Sequence, residues 1–188
     1  MDNFSKVILA SASPRRRELL AMLFADFSVE PSAGDETTTM TEPPAIVREL
    51  ARRKAEDVAS RADAGSLVIG ADTIVVTATG DILGKPKDAD DARRMLRKLS
   101  GARHSVWTGV ALICEGREAC AAERTYVDFC EMTDSEIDGY IASGDPMDKA
   151  GAYGIQGGAA KFIKGIDGCY YNVMGLPVHR LYEMIKEL

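Results

Sequence analysis

The sequence predicts an α/β fold: one domain over residues 1–188, in two lobes, with helices flanking a mixed central sheet. Three observations carry that reading. Apolar runs of strand length alternate with stretches of helical period along the first two-thirds of the chain. From Ser105 the period changes, and two long strand-like segments follow one another across a short turn. No internal repeat, low-complexity tract or linker divides the chain.

The elements follow in order. Residues 6–10 form a short apolar run, the mark of a buried strand. It leads into Ser11-Ala12-Ser13-Pro14, where Ser13 suits an N-cap and Pro14 the first helical position. Leu19, Leu20 and Leu23 make that helix's inner stripe. Residues 27–31 read as a second strand, and the polar stretch 32–44, ending in two prolines, as a loop. From 44 to about 61, Ile46, Leu50, Lys54 and Val58 keep helical spacing, with Val47, Ala51 and Ala55 beside them. Residues 67–71 are another buried-strand run, followed by 73–77 and a Thr79-Gly80-Asp81 turn. Asp88 caps a helix through Met95, Leu96 and Leu99, which Gly101 closes at C′. Segments 105–114 and 120–130 read as an antiparallel pair joined through Glu115-Gly116-Arg117-Glu118. Thr133-Asp134-Ser135-Glu136 is a capping box opening a helix to about Ser143. A glycine-rich stretch, 144–158, precedes a strand near 161–166, and a last helix starts at Pro177.

Composition narrows the function. The chain is 46% hydrophobic and 28% charged, which suffices for a buried core. Its 23 basic and 29 acidic side chains leave a net charge of −6. A field of that sign repels phosphate backbones, which argues against nucleic acid as a partner, so an anion site must be built locally. No apolar stretch nears the ~20 residues of a membrane helix, and the run at 7–10 is too short for a signal-peptide core. The expectation is a cytoplasmic protein without membrane contact. The four cysteines include no C-x-x-C pair, and Cys114 and Cys120 read as buried free thiols. His104 and His179 match no metal spacing and read as structural or surface residues.

Several places can carry chemistry. At Ser11-Ala12-Ser13-Pro14-Arg15-Arg16-Arg17 a strand feeds a capped helix, so free amides and forked guanidinium donors suit phosphate oxygens. A solvated basic helix start is the plainer reading. Asp72, in Gly70-Ala71-Asp72-Thr73, ends an apolar run and is costly there unless it meets a metal, a cation or water. It suits holding Mg²⁺ or orienting a water, or else simply bonds turn amides. Lys85, in Gly84-Lys85-Pro86, follows a hairpin strand within reach of a polyphosphate, or is a surface lysine. Lys54 stands in an apolar stripe, where an ammonium needs an anion or carboxylate unless it snorkels to water. Within 148–158 small residues surround Tyr153 and Gln156, two candidate readers of a ligand in what is otherwise an ordinary loop. Asp35-Glu36 can add a metal carboxylate or remain solvated. There is no Walker A loop, G-x-S-x-G, H-E-x-x-H or G-x-G-x-x-G.

Several of these blocks occur together in one known order. Residues Leu9-Ala10-Ser11-Ala12-Ser13-Pro14-Arg15-Arg16-Arg17-Glu18-Leu19-Leu20, Gly70-Ala71-Asp72-Thr73, Leu83-Gly84-Lys85-Pro86, Lys149-Ala150-Gly151-Ala152-Tyr153-Gly154-Ile155-Gln156-Gly157 and Gly175-Leu176-Pro177 resemble the Maf family over nearly the whole chain. The resemblance implies an elongated mixed sheet like that of inosine triphosphate pyrophosphatases, with the active-site cleft between two lobes. It also implies hydrolysis of a nucleoside triphosphate to monophosphate and pyrophosphate with a divalent cation, Mg²⁺ or Mn²⁺, in a homodimer. By the same resemblance Asp72 is the catalytic base and a metal ligand. Ser11, Arg15, Arg16, Lys54 and Lys85 contact polyphosphate, and Glu36 lies on the metal side. Arg15, Thr73 and Gln156 resemble the subgroup acting on dTTP and UTP, with modified pyrimidine nucleotides in reach. A subgroup that prefers methylated guanine has tryptophan and glutamate in place of Arg15 and Gln156. A non-hydrolytic nucleotide-binding regulator of cell division and septum formation is the second reading.

Overall fold

The computed structural model describes residues 4–34 and 37–188. Its elements in chain order are β1 (Lys6–Leu9), α1 (Pro14–Leu20), β2 (Ser28–Val29), α2 (Pro43–Ala59), β3 (Ser66–Val76), β4 (Ile82–Leu83), α3 (Ala89–Leu99), β5 (Arg103–Cys114), β6 (Arg117–Phe129), α4 (Asp134–Ala142), β7 (Ile163–Asp167), α5 (Tyr170–Met174) and α6 (Val178–Glu187). The strands follow the order β2-β1-β3-β5-β6-β7, with β4 pairing β3. β1 runs parallel to β2 and β3, whereas β4 and β7 pair antiparallel with β3 and β6. The sheet is therefore mixed and helices flank it, as predicted. Two compact units emerge: one from described residues within Met1–Asp72, Thr108–Glu123 and Gly175–Leu188, the other from Thr73–Trp107 and Arg124–Met174.

In the first unit, α2 lays Ala51, Ala55 and Val58 on Ile8, Ala10, Val68 and Ala111. Two glycines permit that approach. A Cβ at Gly70 would stand 2.2 Å from the Ala51 carbonyl oxygen and 2.8 Å from the Ala55 nitrogen. One at Gly109 would stand 2.0 Å from the Val47 oxygen. The helix backbone thus rests directly on strand backbone, and no side-chain adjustment relieves a methyl group there. Gly70→Ala should cost about 1–3 kcal/mol or more, a fall of roughly 2–12 °C in melting temperature. A thermal melt that does not move would show that α2 shifts freely on the sheet.

In the second unit, α3 and α4 cover a core that includes Val75, Leu96, Leu99, Val106, Val127, Phe129, Ile137 and Phe162. Both helices begin at the predicted caps. The Asp88 side chain accepts from the Asp91 N–H, and Thr133 with Glu136 closes a capping box. Gly101 takes the left-handed conformation past α3, φ 69°.

Three differences stand out from the sequence expectation. The runs 67–71 and 73–77 are one continuous strand, because Ile74, Val75 and Val76 extend the β-branched pattern past Asp72. Asp72 therefore sits inside a strand rather than at its end. Only Glu115 and Gly116 turn between β5 and β6, both at positive φ (49° and 76°), so the strands run closer to the turn than expected. Cys114 is buried, but Cys120 is only half-buried, with its thiol pushed up by desolvation; all four thiols are free. Among the described residues, no helix is long and apolar enough to cross a membrane.

Candidate active site

The site begins where β1 ends. The Ser13 side chain accepts from the Arg16 N–H and starts α1, with Pro14 in its first turn. At seven residues α1 carries little dipole, so its cations dominate the local field. Arg16 does not point into solvent. Its Nε donates to the Gly175 carbonyl at 2.8 Å and its Nη1 to Ser11 Oγ at 3.1 Å, while the Ser13 N–H reaches the same oxygen at 3.3 Å. Those contacts fix the guanidinium plane and explain Gly175-Leu176-Pro177, whose glycine holds φ 110° to present its carbonyl. Arg15 is half-buried and Arg17 exposed.

A second pair forms on the neighbouring strand. Lys54 reaches from α2 to Asp72 of β3, Nζ to Oδ1 2.6 Å, with side chains 13% and 12% exposed. The ammonium in the apolar stripe has thus met a carboxylate. The seat of α2 on Gly70, two residues before Asp72, sets this meeting. Both pairs belong to the first unit, one just after β1 and one on the neighbouring β3. Leu9 lies opposite Ile69, and the Ala10 N–H donates to the Ile69 oxygen at 2.8 Å; Ser11 follows Leu9 by two residues and Asp72 follows Ile69 by three. An anchored guanidinium with a hydroxyl can hold a polyphosphate, and a lysine-paired carboxylate can handle a proton.

The remaining candidates are distributed as follows. Thr73 follows Asp72 in β3; Lys85 is exposed just after β4; Gln156 is exposed beside buried Ile155. These three belong to the second unit. Tyr153 is no base reader: it is buried at 5% exposure, and its hydroxyl meets His104 Nε2 at 2.8 Å. Glu36 lies outside the described residues. No group of three His, Cys, Asp or Glu side chains converges among the described residues. Asp72 with the oxygens of a bound triphosphate nonetheless suits Mg²⁺ or Mn²⁺, which are commonly held by one or two carboxylates and substrate phosphates. Sequence reasoning missed the Gly175 carbonyl and the seat at Gly109, while the burial of His104 fits its reading as a structural residue. The glycine at 109 between β-branched strand residues was a readable sign of close backbone approach.

Fold and site together describe a mixed α/β protein with an anchored arginine–serine pair and a lysine-paired aspartate in one unit. The chain belongs to the Maf family: the Maf-like protein family matches residues 6–188. It is similar to a protein called dTTP/UTP pyrophosphatase in Agathobacter rectalis, 54% identical over 98% of both chains. Proteins of that name in Bacillus cytotoxicus (51% identical, over 97% of this chain and 95% of that one) and Thermococcus onnurineus (50%, over 95% of both) are also similar. A solved nucleoside-triphosphatase / dITP/XTP pyrophosphatase from Mycobacterium abscessus aligns at TM-score 0.45 and 15% identity, covering 68% of this chain and 75% of that one, too slight a likeness to carry an argument.

Proposed function

We propose that this protein is a nucleoside triphosphate pyrophosphatase acting on dTTP and UTP, yielding the monophosphate and pyrophosphate. The observation that carries the reading is the Lys54–Asp72 pair, in the same unit as the Ser11–Arg16 cradle. Relatives named dTTP/UTP pyrophosphatase support it over nearly the whole chain. Asp72 takes a proton from the water that attacks the α-phosphorus. As the new P–O bond forms, the bond to the bridging oxygen breaks and pyrophosphate leaves with that electron pair. Ser11, Arg15, Arg16, Lys54 and Lys85 bind and orient the phosphate chain, and most of the work in such reactions is positioning and charge neutralisation. Thr73 and Gln156 serve the nucleoside end. A divalent cation held by Asp72 and Glu36 supplies further neutralisation of phosphate charge when bound. The lack of a targeting-like or membrane-length apolar run adds a cytoplasmic location to this proposal, and the family resemblance adds a homodimer.

The test is pyrophosphate release from a nucleotide panel by wild type, Arg16→Ala and Lys85→Ala. UTP and dTTP should lead the panel. Each variant should raise KM and lower kcat together, since a polyphosphate contact both binds and positions. Lys85 is exposed, so its loss should leave stability nearly unchanged. Nucleotide binding without pyrophosphate release would instead establish the non-hydrolytic regulator, for which a carboxylate beside the phosphates is only a repulsion. Unchanged kinetics in both variants would leave Arg16 a structural anchor for Ser11 and Gly175 and Lys85 an ordinary surface lysine.

A further inference from the structure

His104 is a buried ionisable side chain that the proposed reaction does not use. It sits at the start of β5, 2% exposed, in an edge-to-face triad with Phe129 and Tyr153. Centroids lie 4.9 Å apart for His104–Phe129, 5.3 Å for His104–Tyr153 and 4.8 Å for Phe129–Tyr153. Desolvation holds the imidazole down to about 4 against the opposing pull of the Ala102 carbonyl and Asp128, so the ring is neutral at pH 7. Burial likewise keeps the Tyr153 hydroxyl protonated. His104 Nε2 and the Tyr153 hydroxyl share this buried 2.8 Å hydrogen bond, in which Nε2 accepts in the Nδ1-protonated tautomer and donates in the other.

Tyr153 is the buried pivot of an irregular loop. Gly151 and Ala152 just before it take left-handed φ of 69° and 60°, the second uncommon for a residue with a side chain. Such a backbone persists only where its surroundings hold it. The Gly151 N–H donates to the Gly84 oxygen at 2.9 Å, next to Lys85. On the other flank the Gly154 N–H meets Tyr140 Oη at 3.3 Å; that hydroxyl donates to Asp145, and Lys149 closes on the same carboxylate. Gln156 projects three residues beyond Tyr153.

We propose that the His104–Tyr153 hydrogen bond is a positioning device for nucleotide selection: it fixes the loop so that Gln156 is presented to the base. This rests on the proposed role of Gln156. It makes His104 a positioning residue that never touches the nucleotide, and it gives the tyrosine hydroxyl a function distinct from its ring, which packs on Phe129.

Tyr153→Phe separates the two, since it removes the hydroxyl and keeps the ring. Losing one such bond should cost about fivefold in kcat/KM for UTP, carried by KM, with little change for GTP, so the UTP-to-GTP preference falls. Amides of residues 154–157 should exchange with solvent faster. His104→Gln, which retains an acceptor, should keep more of the preference than His104→Phe, and Tyr153→Phe/His104→Phe should be no worse than either single change. Unchanged exchange at 154–157 in Tyr153→Phe overturns the proposal. So does faster exchange with an unmoved preference, provided that Gln156→Glu does move it. If exchange speeds up and neither variant moves the preference, the reading of Gln156 fails and the hydrogen bond stands as a loop anchor only, which overturns its role in selection.

Discussion

Asp72→Asn should lose ~10²- to 10⁴-fold in kcat while nucleotide affinity stays within a few-fold, because a positioned general base contributes that much and the amide contributes none of it. The substitution is nearly isosteric, and the amide oxygen can still accept from Lys54 Nζ, which now stands 2.6 Å from Oδ1. The seat of α2 on Gly70 should therefore survive, and the loss should be chemical rather than structural. Binding should hold or tighten, since a negative charge beside the phosphates disappears. Single-turnover hydrolysis of UTP and equilibrium binding in the same preparations separate the two quantities. A well-folded variant that keeps more than about half of the wild-type kcat would remove Asp72 from proton transfer.

Gln156→Glu should change which base is accepted. Uracil and thymine present an N3–H donor beside the O4 acceptor, and an amide offers the complementary acceptor and donor. Guanine presents two adjacent donors, N1–H and the 2-amino group, which suit the two oxygens of a carboxylate. Glutamate would leave O4 facing an oxygen, at about 1–3 kcal/mol, or roughly 5- to 150-fold in kcat/KM for UTP. Activity on guanine nucleotides should fall less or rise. Gln156 is exposed at the loop surface, so the substitution should fold normally. Pyrophosphate release from UTP, dTTP, GTP and 7-methyl-GTP measures the change. An unmoved UTP-to-GTP ratio would show that Gln156 does not read the base.

The sequence was most legible where the signal is local. Ser13, Asp88 and Thr133 begin their helices because a side-chain oxygen two or three residues from an orphan N–H needs nothing distant to satisfy it. Gly101 ends α3 for a similarly local reason, its freedom to take positive φ. The conflict at Lys54, an ammonium in an apolar stripe, also showed in the sequence as a need for an anion. Less legible was α5, five residues long and without a capping pattern. The extent of β3 was misjudged because Asp72 looks like a terminator until its partner is known.

By itself, then, the sequence determined the fold class, most helix starts, the family and the residue types that can hold a phosphate chain. Only the tertiary structure decided which groups meet. Lys54 and Asp72 are 18 residues apart, Tyr153 and His104 49, and Arg16 and Gly175 159. It turned Arg16 onto Ser11 and the Gly175 carbonyl, and it removed Tyr153 from the readers of the base by burying it against His104. The physical reason is range. Caps, turns and periodicity are settled within a few residues, whereas these meetings depend on strand register and on how closely a helix can lie on a sheet, which at Gly70 and Gly109 is governed by the absence of two Cβ atoms.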